Sequence, residues 1–385
     1  MNRSHFTAIA LAIVAFLLFA SCDDEKIITS EPAAPQDFDW LFTYEEAAPI
    51  SAPIPNSSAI LIPVTGAFDL IKVDTSGAEL WRKSFDEEGY NATTGMSGNV
   101  FLATAGGETN SFIRKVSDLG NLHTRVEIDS VISTRQITRA PNRTVFVAGT
   151  ILLGGHRRTA TASFDADLNM QSYHLLSIPA DYSDWPDCIF ATSDNGCIIF
   201  GHRIPDPDNE VDLYTYVAKL NAQGEEIWNR VLVTANYSHV YGAVELENGD
   251  LVLAGDLDRS GGSDTVPWIM RITSNGDEVW SHEFQIGAHR SDVSGITLTE
   301  QGIVVSGRAQ DNLDVFTQPH PDDYGWLALF NENGNQIVVR KYAHAPFSSR
   351  IVAGQYGGYY VNVYGDGQYY RSKLAKLTEP IFPTP

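Results

Sequence analysis

Three short stretches of the sequence carry residues able to do acid–base or binding chemistry at similar spacing: Tyr182-Ser183-Asp184-Trp185, Tyr237-Ser238-His239 and His289-Arg290-Ser291-Asp292. Asp184, His239 and Asp292 could exchange protons. Arg290 could contact the same ligand, and Tyr182, Trp185 and Tyr237 could stack on sugar rings. Ser and Asp at such links could equally hydrogen-bond the backbone and fix where a strand begins. A second group, Asp206, Asp208, Glu210 and Asp212, alternates carboxylates along a loop and could offer several oxygens to calcium, although it lacks the glycine and terminal glutamate of an EF-hand loop. Calcium is the one cofactor these residues suggest. Cys188 and Cys197 could bridge neighbouring strands or remain two free thiols. The chain has no HExxH, no GxSxG and no Cys/His cluster with zinc spacing, so no motif declares an enzyme.

The elements that must position these residues form a repeat. A turn glycine followed four residues later by an aromatic or other strand residue occurs in IKVDTSGAELW (71–81), AKLNAQGEEIW (218–228) and MRITSNGDEVW (270–280). Weaker copies are RKVSDLGNLHT (114–124), ASFDADLNMQS (162–172) and ALFNENGNQIV (328–338), with a truncated AKLTEP (375–380) at the end. Upstream of each lies an apolar element closed by glycine, as in NGCIIFGH, NGDLVLAG and QGIVVSGR, and ahead of that another strand, as in TRQITRA and VSGITLTE. The turn positions Gly77, Gly120, Leu168, Gly224, Gly276 and Gly334 recur roughly every 50 residues, the span of a four-stranded propeller blade.

The reading is an all-β chain: a seven-bladed β-propeller of four-stranded antiparallel blades over 38–385. The last blade runs out near Pro380 without its fourth strand. Phe38-Asp39-Trp40-Leu41-Phe42-Thr43-Tyr44 matches that strand and belongs to no other blade. The N-terminal segment is therefore expected to close the ring by pairing into the last blade, which removes two open sheet edges. In such a blade the hairpins between second and third strands share one end of the ring with the links between blades. The long loops 202–213, 256–266 and 308–324 fall there, carrying Asp256, Asp258, Asp311 and Asp323 among other acids. The repeated tryptophans at 40, 81, 228 and 280 read as packing between blades.

The Lys-Leu-Asn-x-x-Gly-x-x-x-Trp pattern resembles the repeats of quinoprotein-like (PQQ-like) propellers. The resemblance covers nearly all of the chain after its first 37 residues and implies architecture. The Ala-x-Asp start, Thr-Gly-Lys turn and adjacent cysteine pair of the quinone enzymes have no counterpart here, so it does not imply a quinone.

The first 21 residues hold Arg3 and then an uncharged apolar run from Phe6 to Ala20, too short for a spanning helix and suited to a signal peptide. Phe19-Ala20-Ser21-Cys22 resembles a bacterial lipobox, which implies lipidation at Cys22. Residues 22–37, acidic and then rich in Ser, Pro and Ala, read as a flexible tether. The acidic run after Cys22 suggests an outer-membrane lipoprotein, with surface exposure as one outcome. The 385 residues include 26 Lys and Arg against 48 Asp and Glu, a net charge of −22, with no basic cluster, which argues against nucleic acid. The expected role is a lipid-anchored binding or scaffolding module for an envelope protein or extracellular ligand, meeting the membrane only through its anchor. The alternative is a carbohydrate-active enzyme with an acid–base site at the channel mouth.

Overall fold

The structure, a computed structural model, describes residues 38–43, 54–56, 59–64, 69–85, 90–94, 99–106, 110–128, 133–205, 213–233, 238–258, 265–311, 323–343, 347, 349, 351–353, 358–364, 372–377 and 381–382. All of them belong to one compact unit, 34–385. Cys22, Tyr237 and the loop carboxylates Asp206, Asp208, Glu210 and Asp212 lie outside the described residues.

Twenty-eight described strands, β1 to β28 in chain order, pair into seven four-stranded antiparallel sheets, and no helix occurs among the described residues. The sheets are the blades of a propeller. Blade 1 spans 54–84, blade 2 90–128, blade 3 133–175, blade 4 183–233, blade 5 238–283 and blade 6 290–343. Blade 7 joins β26 (Val352–Ala353), β27 (Tyr359–Tyr364) and β28 (Ser372–Leu377) to β1 (Phe38–Thr43), so the N-terminal strand completes the last blade. The first strands of blades 1 to 6 touch in succession, and β26 touches β2 (Ile54–Asn56), the first strand of blade 1. The core lies between blades: Val252, Ala254 and Ile269 of blade 5 pack against Ile296, Val305 and Trp326 of blade 6, and Ile113 of blade 2 against Val147 and Ala162 of blade 3.

The repeat motif turns out to describe a latch between blades. Its Asn, Asp or Ser closes the hairpin between third and fourth strands, as when the Asn221 side-chain oxygen accepts the backbone N–H groups of Gln223 and Glu225. Its glycine takes a left-handed φ, +82° at both Gly224 and Gly276. Its tryptophan, on the outer strand, donates its indole N–H to the next blade's turn: Trp81 to Asp118 O, Trp228 to Ser274 O and Trp280 to Glu332 O. The ring then lies over that turn's glycine, so a Cβ on Gly276 would come within 2.9 Å of Trp228. The lysine or arginine two residues before the turn makes the same crossing where Lys72 reaches Asp118, Lys115 reaches Ala166 O and Arg271 reaches Glu332 O.

Closure reuses the strand register of the motif. Lys72 pairs with Trp81, Lys219 with Trp228 and Arg271 with Trp280, each followed by a register shift; Lys376 pairs with Trp40 beside a shift of its own. The N-terminal segment thus occupies the fourth-strand register of the motif.

A second regularity lies at the channel. The first strands of blades 4, 5 and 6 are β14 (Ser183–Ala191), β18 (Ser238–Glu245) and β22 (Arg290–Thr299); each carries one extra residue against its neighbour, Asp187, Tyr241 and Ser294 in turn. The neighbouring second strands are β15 (Cys197–Ile204), β19 (Leu251–Asp258) and β23 (Gly302–Gln310). Opposite each bulge they place Gly201, Gly255 and Gly307, where a Cβ would collide with the carbonyl oxygens of Trp185, His239 and Asp292. These glycines therefore sit inside strands and do not end them. The strands begin and end farther out than expected: Ser183 to Trp185, Ser238 to His239 and Arg290 to Asp292 are strand rather than link, and Asp256 is strand rather than loop.

The two cysteines are free thiols, a correction to the disulfide that the sequence left open. The register sets Cys188 opposite Phe200 and Cys197 opposite Ala191, three pairs apart along the ladder. Full burial raises the Cys197 thiol pKa and leaves it inert.

Two outcomes test this architecture. Gly276→Ala combines a left-handed backbone with a clash against Trp228 and should cost about 1–3 kcal/mol in urea unfolding; a cost below about 0.3 kcal/mol would remove the latch as an ordering contact. Deleting residues 36–46 should lower the melting temperature sharply and broaden the transition, whereas an unchanged melt would show that β1 is not needed for closure.

Candidate functional site

The bulges and the strand glycines bring polar side chains together at the end of the ring where blades are linked. In all three blades the residue after the second-strand glycine is polar: His202 and Asp256 are buried, and Arg308 is half-buried. Their cross-strand partners are Trp185, His239 and Asp292. Serine precedes each of Asp184, His239 and Asp292, but the register aligns Trp185, not Asp184, with His239 and Asp292; Asp184 shares its repeat position with Ser238 and Ser291.

Two of the three are bound into blade contacts. Asp184 is fully buried, and its carboxylate accepts the backbone N–H of Thr159 in blade 3 at 2.7 Å, with Arg203 3.8 Å away. Burial pushes its pKa up to about 6, against the pull of the Thr159 N–H and Arg203. Asp292 accepts the Thr265 hydroxyl of blade 5 at 2.7 Å, the Arg290 Nε at 3.0 Å and the Arg308 Nε at 2.9 Å. Burial alone would raise Asp292; the two guanidiniums outweigh it and hold the carboxyl below its ordinary value. Both aspartates reach neighbouring blades and serve as ties, and Arg290 braces Asp292 from the same strand. Between them, Ser238 repeats the device with a hydroxyl, meeting Thr215 of blade 4.

His239 is the exception. Half-buried, it turns toward blade 4 and meets His202 edge-on, ring centroids 4.3 Å apart, while Tyr241 stacks against its other side at 5.9 Å. His202 Nε2 lies 2.7 Å from the Ser238 carbonyl and so donates to it, and its Nδ1 faces the Asp187 carboxylate in close contact. Trp185, half-buried, covers His202 at 5.6 Å. Tyr182 sits in the turn entering β14, its N–H on Pro179 O. Asp187, His202 and His239 therefore present ligand atoms that all lie within 4.8 Å of one another.

Behind His239 lies Asp256. Burial, and then the Asp292 charge, push its pKa up to about 8 against hydrogen bonds from the Val293 N–H and the Tyr241 hydroxyl. At neutral pH Asp256 is chiefly a neutral acid while Asp292 is an anion. Tyr241 is 42% exposed, and desolvation together with the Asp256 and Asp292 charges raises its phenol pKa. The surface a ligand would meet is thus His239 and Tyr241, backed by a neutral carboxylic acid and flanked by the Asp187–His202 pair. Beside it, a small cleft is lined by Arg290, Asp292, Arg308, Gln310 and Asp323.

Sequence reasoning named His239, Trp185, Asp184, Arg290 and Asp292 but passed over Asp187, His202, Tyr241 and Arg308. A usable signal existed. The residue following the second-strand glycine is His202, Asp256 and Arg308 in successive blades, where an edge-to-edge packing residue would be apolar.

The raised pKa of Asp256 makes a signed prediction. The folded state keeps a proton that the unfolded chain releases near pH 4, so this group's contribution to stability falls as pH rises from about 4 to about 8 and is flat above that. Asp256→Asn should melt progressively higher than the wild type across that window; parallel melting curves from pH 4 to 8 would refute the assignment.

No protein-family model and no curated protein sequence matches the chain. Solved structures do match. A streptogramin B lyase superposes over 88% of this chain and 98% of its own with a TM-score of 0.52 at 16% identity. A polysaccharide lyase covers 90% and 94% with a TM-score of 0.56 at 10% identity. BBS1N, solved in complex with ARL6DN, covers 88% and 96% with a TM-score of 0.53 at 11% identity. At these identities the likeness establishes the fold alone.

Proposed function

We propose that the chain is a lipid-anchored, extracytoplasmic propeller that binds an extracellular saccharide at the channel mouth. On this reading Cys22 carries the lipid, residues 22–37 tether the ring to the outer membrane, and the net charge of −22 keeps it off anionic surfaces. One observation carries the binding role: blades 4 and 5 bulge at Asp187 and Tyr241 and thereby set a half-buried histidine and an exposed tyrosine side by side over buried polar groups. A stacked aromatic pair with hydrogen-bonding groups around it suits the apolar face and hydroxyl rim of a sugar ring. Buried ionisable groups cost stability, so their concentration at one mouth favours a site over a purely structural role. The resemblance to quinoprotein-like repeats enters as architecture only.

A catalytic reading has one observation of its own. Asp256 and Asp292 are driven to opposite sides of neutrality, the separation that acid–base sites use. Because Asp292 is held by Thr265 and two arginines, the groups placed to exchange protons with a ligand are His239 and Tyr241. Two neighbours of the fold are named as lyases and a third was solved with a protein partner, so the fold accommodates both outcomes.

The test is a panel of soluble polysaccharides offered to the full chain and to Tyr241→Phe, His239→Ala and Asp184→Asn, reading both retention and release of new chain ends. Retention by the wild type, weakened at least 10-fold in His239→Ala and unchanged in Asp184→Asn, supports a binding module. Release of chain ends that His239→Ala abolishes makes the site an enzyme. Neither retention nor release, with an envelope protein crosslinking equally to all four proteins, overturns the proposal.

A further inference from the structure

We infer that Asp187, His202 and His239 form a binding site for one divalent transition-metal ion, zinc being the first candidate. The inference deepens the reading of the channel mouth as a ligand site, but it stands on its own coordination geometry. Among the described residues this is the group of three potential ligands whose donor atoms converge, all within 4.8 Å of one another. A metal held at about 2.0–2.2 Å by each ligand needs donors roughly 3–3.5 Å apart, so binding draws the half-buried Asp187 and His239 side chains in around His202.

The protein has already built the supporting contact such a ligand needs. His202 is buried, and its Nε2–H is committed to the Ser238 carbonyl at 2.7 Å. That hydrogen bond fixes the ring and directs Nδ1 at Asp187 and His239, as the second ring nitrogen of a metal-binding histidine characteristically does. Each ligand is also held by strand structure. Asp187 is the extra residue of the β14 bulge, His202 follows Gly201 in β15, and His239 lies two residues before Tyr241, the extra residue of the β18 bulge. Two imidazoles and one carboxylate suit zinc and its borderline neighbours, whereas calcium and magnesium prefer all-oxygen shells. Three protein ligands would leave a coordination position for water or a ligand oxygen.

The competing account is a plain ion pair between His202 and Asp187, with His239 packed against it. The two accounts separate in a titration of the full chain, freed of metal by chelator, with zinc alone against a chromophoric chelator, beside His239→Ala and Asp187→Asn. The site predicts one equivalent bound by the wild type, a rise in melting temperature with zinc, and affinity weakened at least 10-fold in each variant. Cobalt should give the intense visible bands of a four-coordinate site in the wild type and lose them in His239→Ala. His239→Ala leaves the His202–Asp187 contact in place, so its fold is expected to survive, and its unliganded melting curve checks that. Absence of stoichiometric zinc and cobalt binding by the wild type, or equal affinity in the wild type and both variants, would overturn the inference. Saccharide retention measured without metal is a separate readout: its loss together with intact zinc binding would fault the proposed function and leave the metal site standing.

Discussion

Everything in this ring rests on the contact by which one blade's outer strand grips the next blade's turn. A four-stranded sheet this small has two faces to bury, and no helix among the described residues covers them, so each blade is stable only between two others. The indole N–H bond, worth about 1 kcal/mol by itself, is modest. Its effect is positional, because it sets blades 2, 5 and 6 against the outer strands of blades 1, 4 and 5. The glycine beneath the ring is part of the same device. Where the gripping residue is Trp81, Trp228 or Trp280, the turn below has Gly120, Gly276 or Gly334; where blade 2 offers Thr124 instead, blade 3 has Leu168 at that turn with φ +66°, buried in the core. The absence of an indole there leaves room for a side chain.

Blades fixed in this way can carry irregular inner strands. The bulges of blades 4, 5 and 6 push backbone toward the second strand, which only glycine accommodates, and turn the extra residue away from the ladder. The polar groups that follow would be expensive to bury singly. They are offset by ties that cross between blades: Asp184 to Thr159, Ser238 to Thr215 and Asp292 to Thr265 with its arginines. Asp184 and Ser238 at one repeat position and Asp292 at the next thus tie blades together, while His239 packs against His202. The candidate site lies directly beside these ties.

Much of this was legible in the chain. Turn glycines at intervals of about 50 residues, strand-forming residues between them and the unmatched segment 38–44 dictated an all-β propeller of seven blades with the N-terminal strand in the last. These features are local, since turn geometry and strand alternation depend on neighbours within a few residues. The shared theme of Asp184, His239 and Asp292, each preceded by a serine near the start of a first strand, was visible for the same reason. Its meaning was not. Whether a carboxylate meets a backbone N–H of the preceding blade or a ligand is settled by a residue about 25 positions away, as Thr159 is from Asp184.

What the tertiary structure alone decided follows from register and ring geometry. A shift of one residue separates a strand face from its opposite, so Cys188 and Cys197 fell out of reach of each other although nothing in their spacing forbade a bridge. Asp187 and Tyr241 became site residues because each is the residue a bulge adds, and Asp256 became a neutral acid because blade 6 closes over it and sets Asp292 nearby. The sequence by itself determined the blade, its turns and the number of times it recurs, because those are properties of short segments. Only the folded ring decided which polar residues of adjacent blades would meet, because side chains distant in sequence converge there through packing that no single repeat encodes.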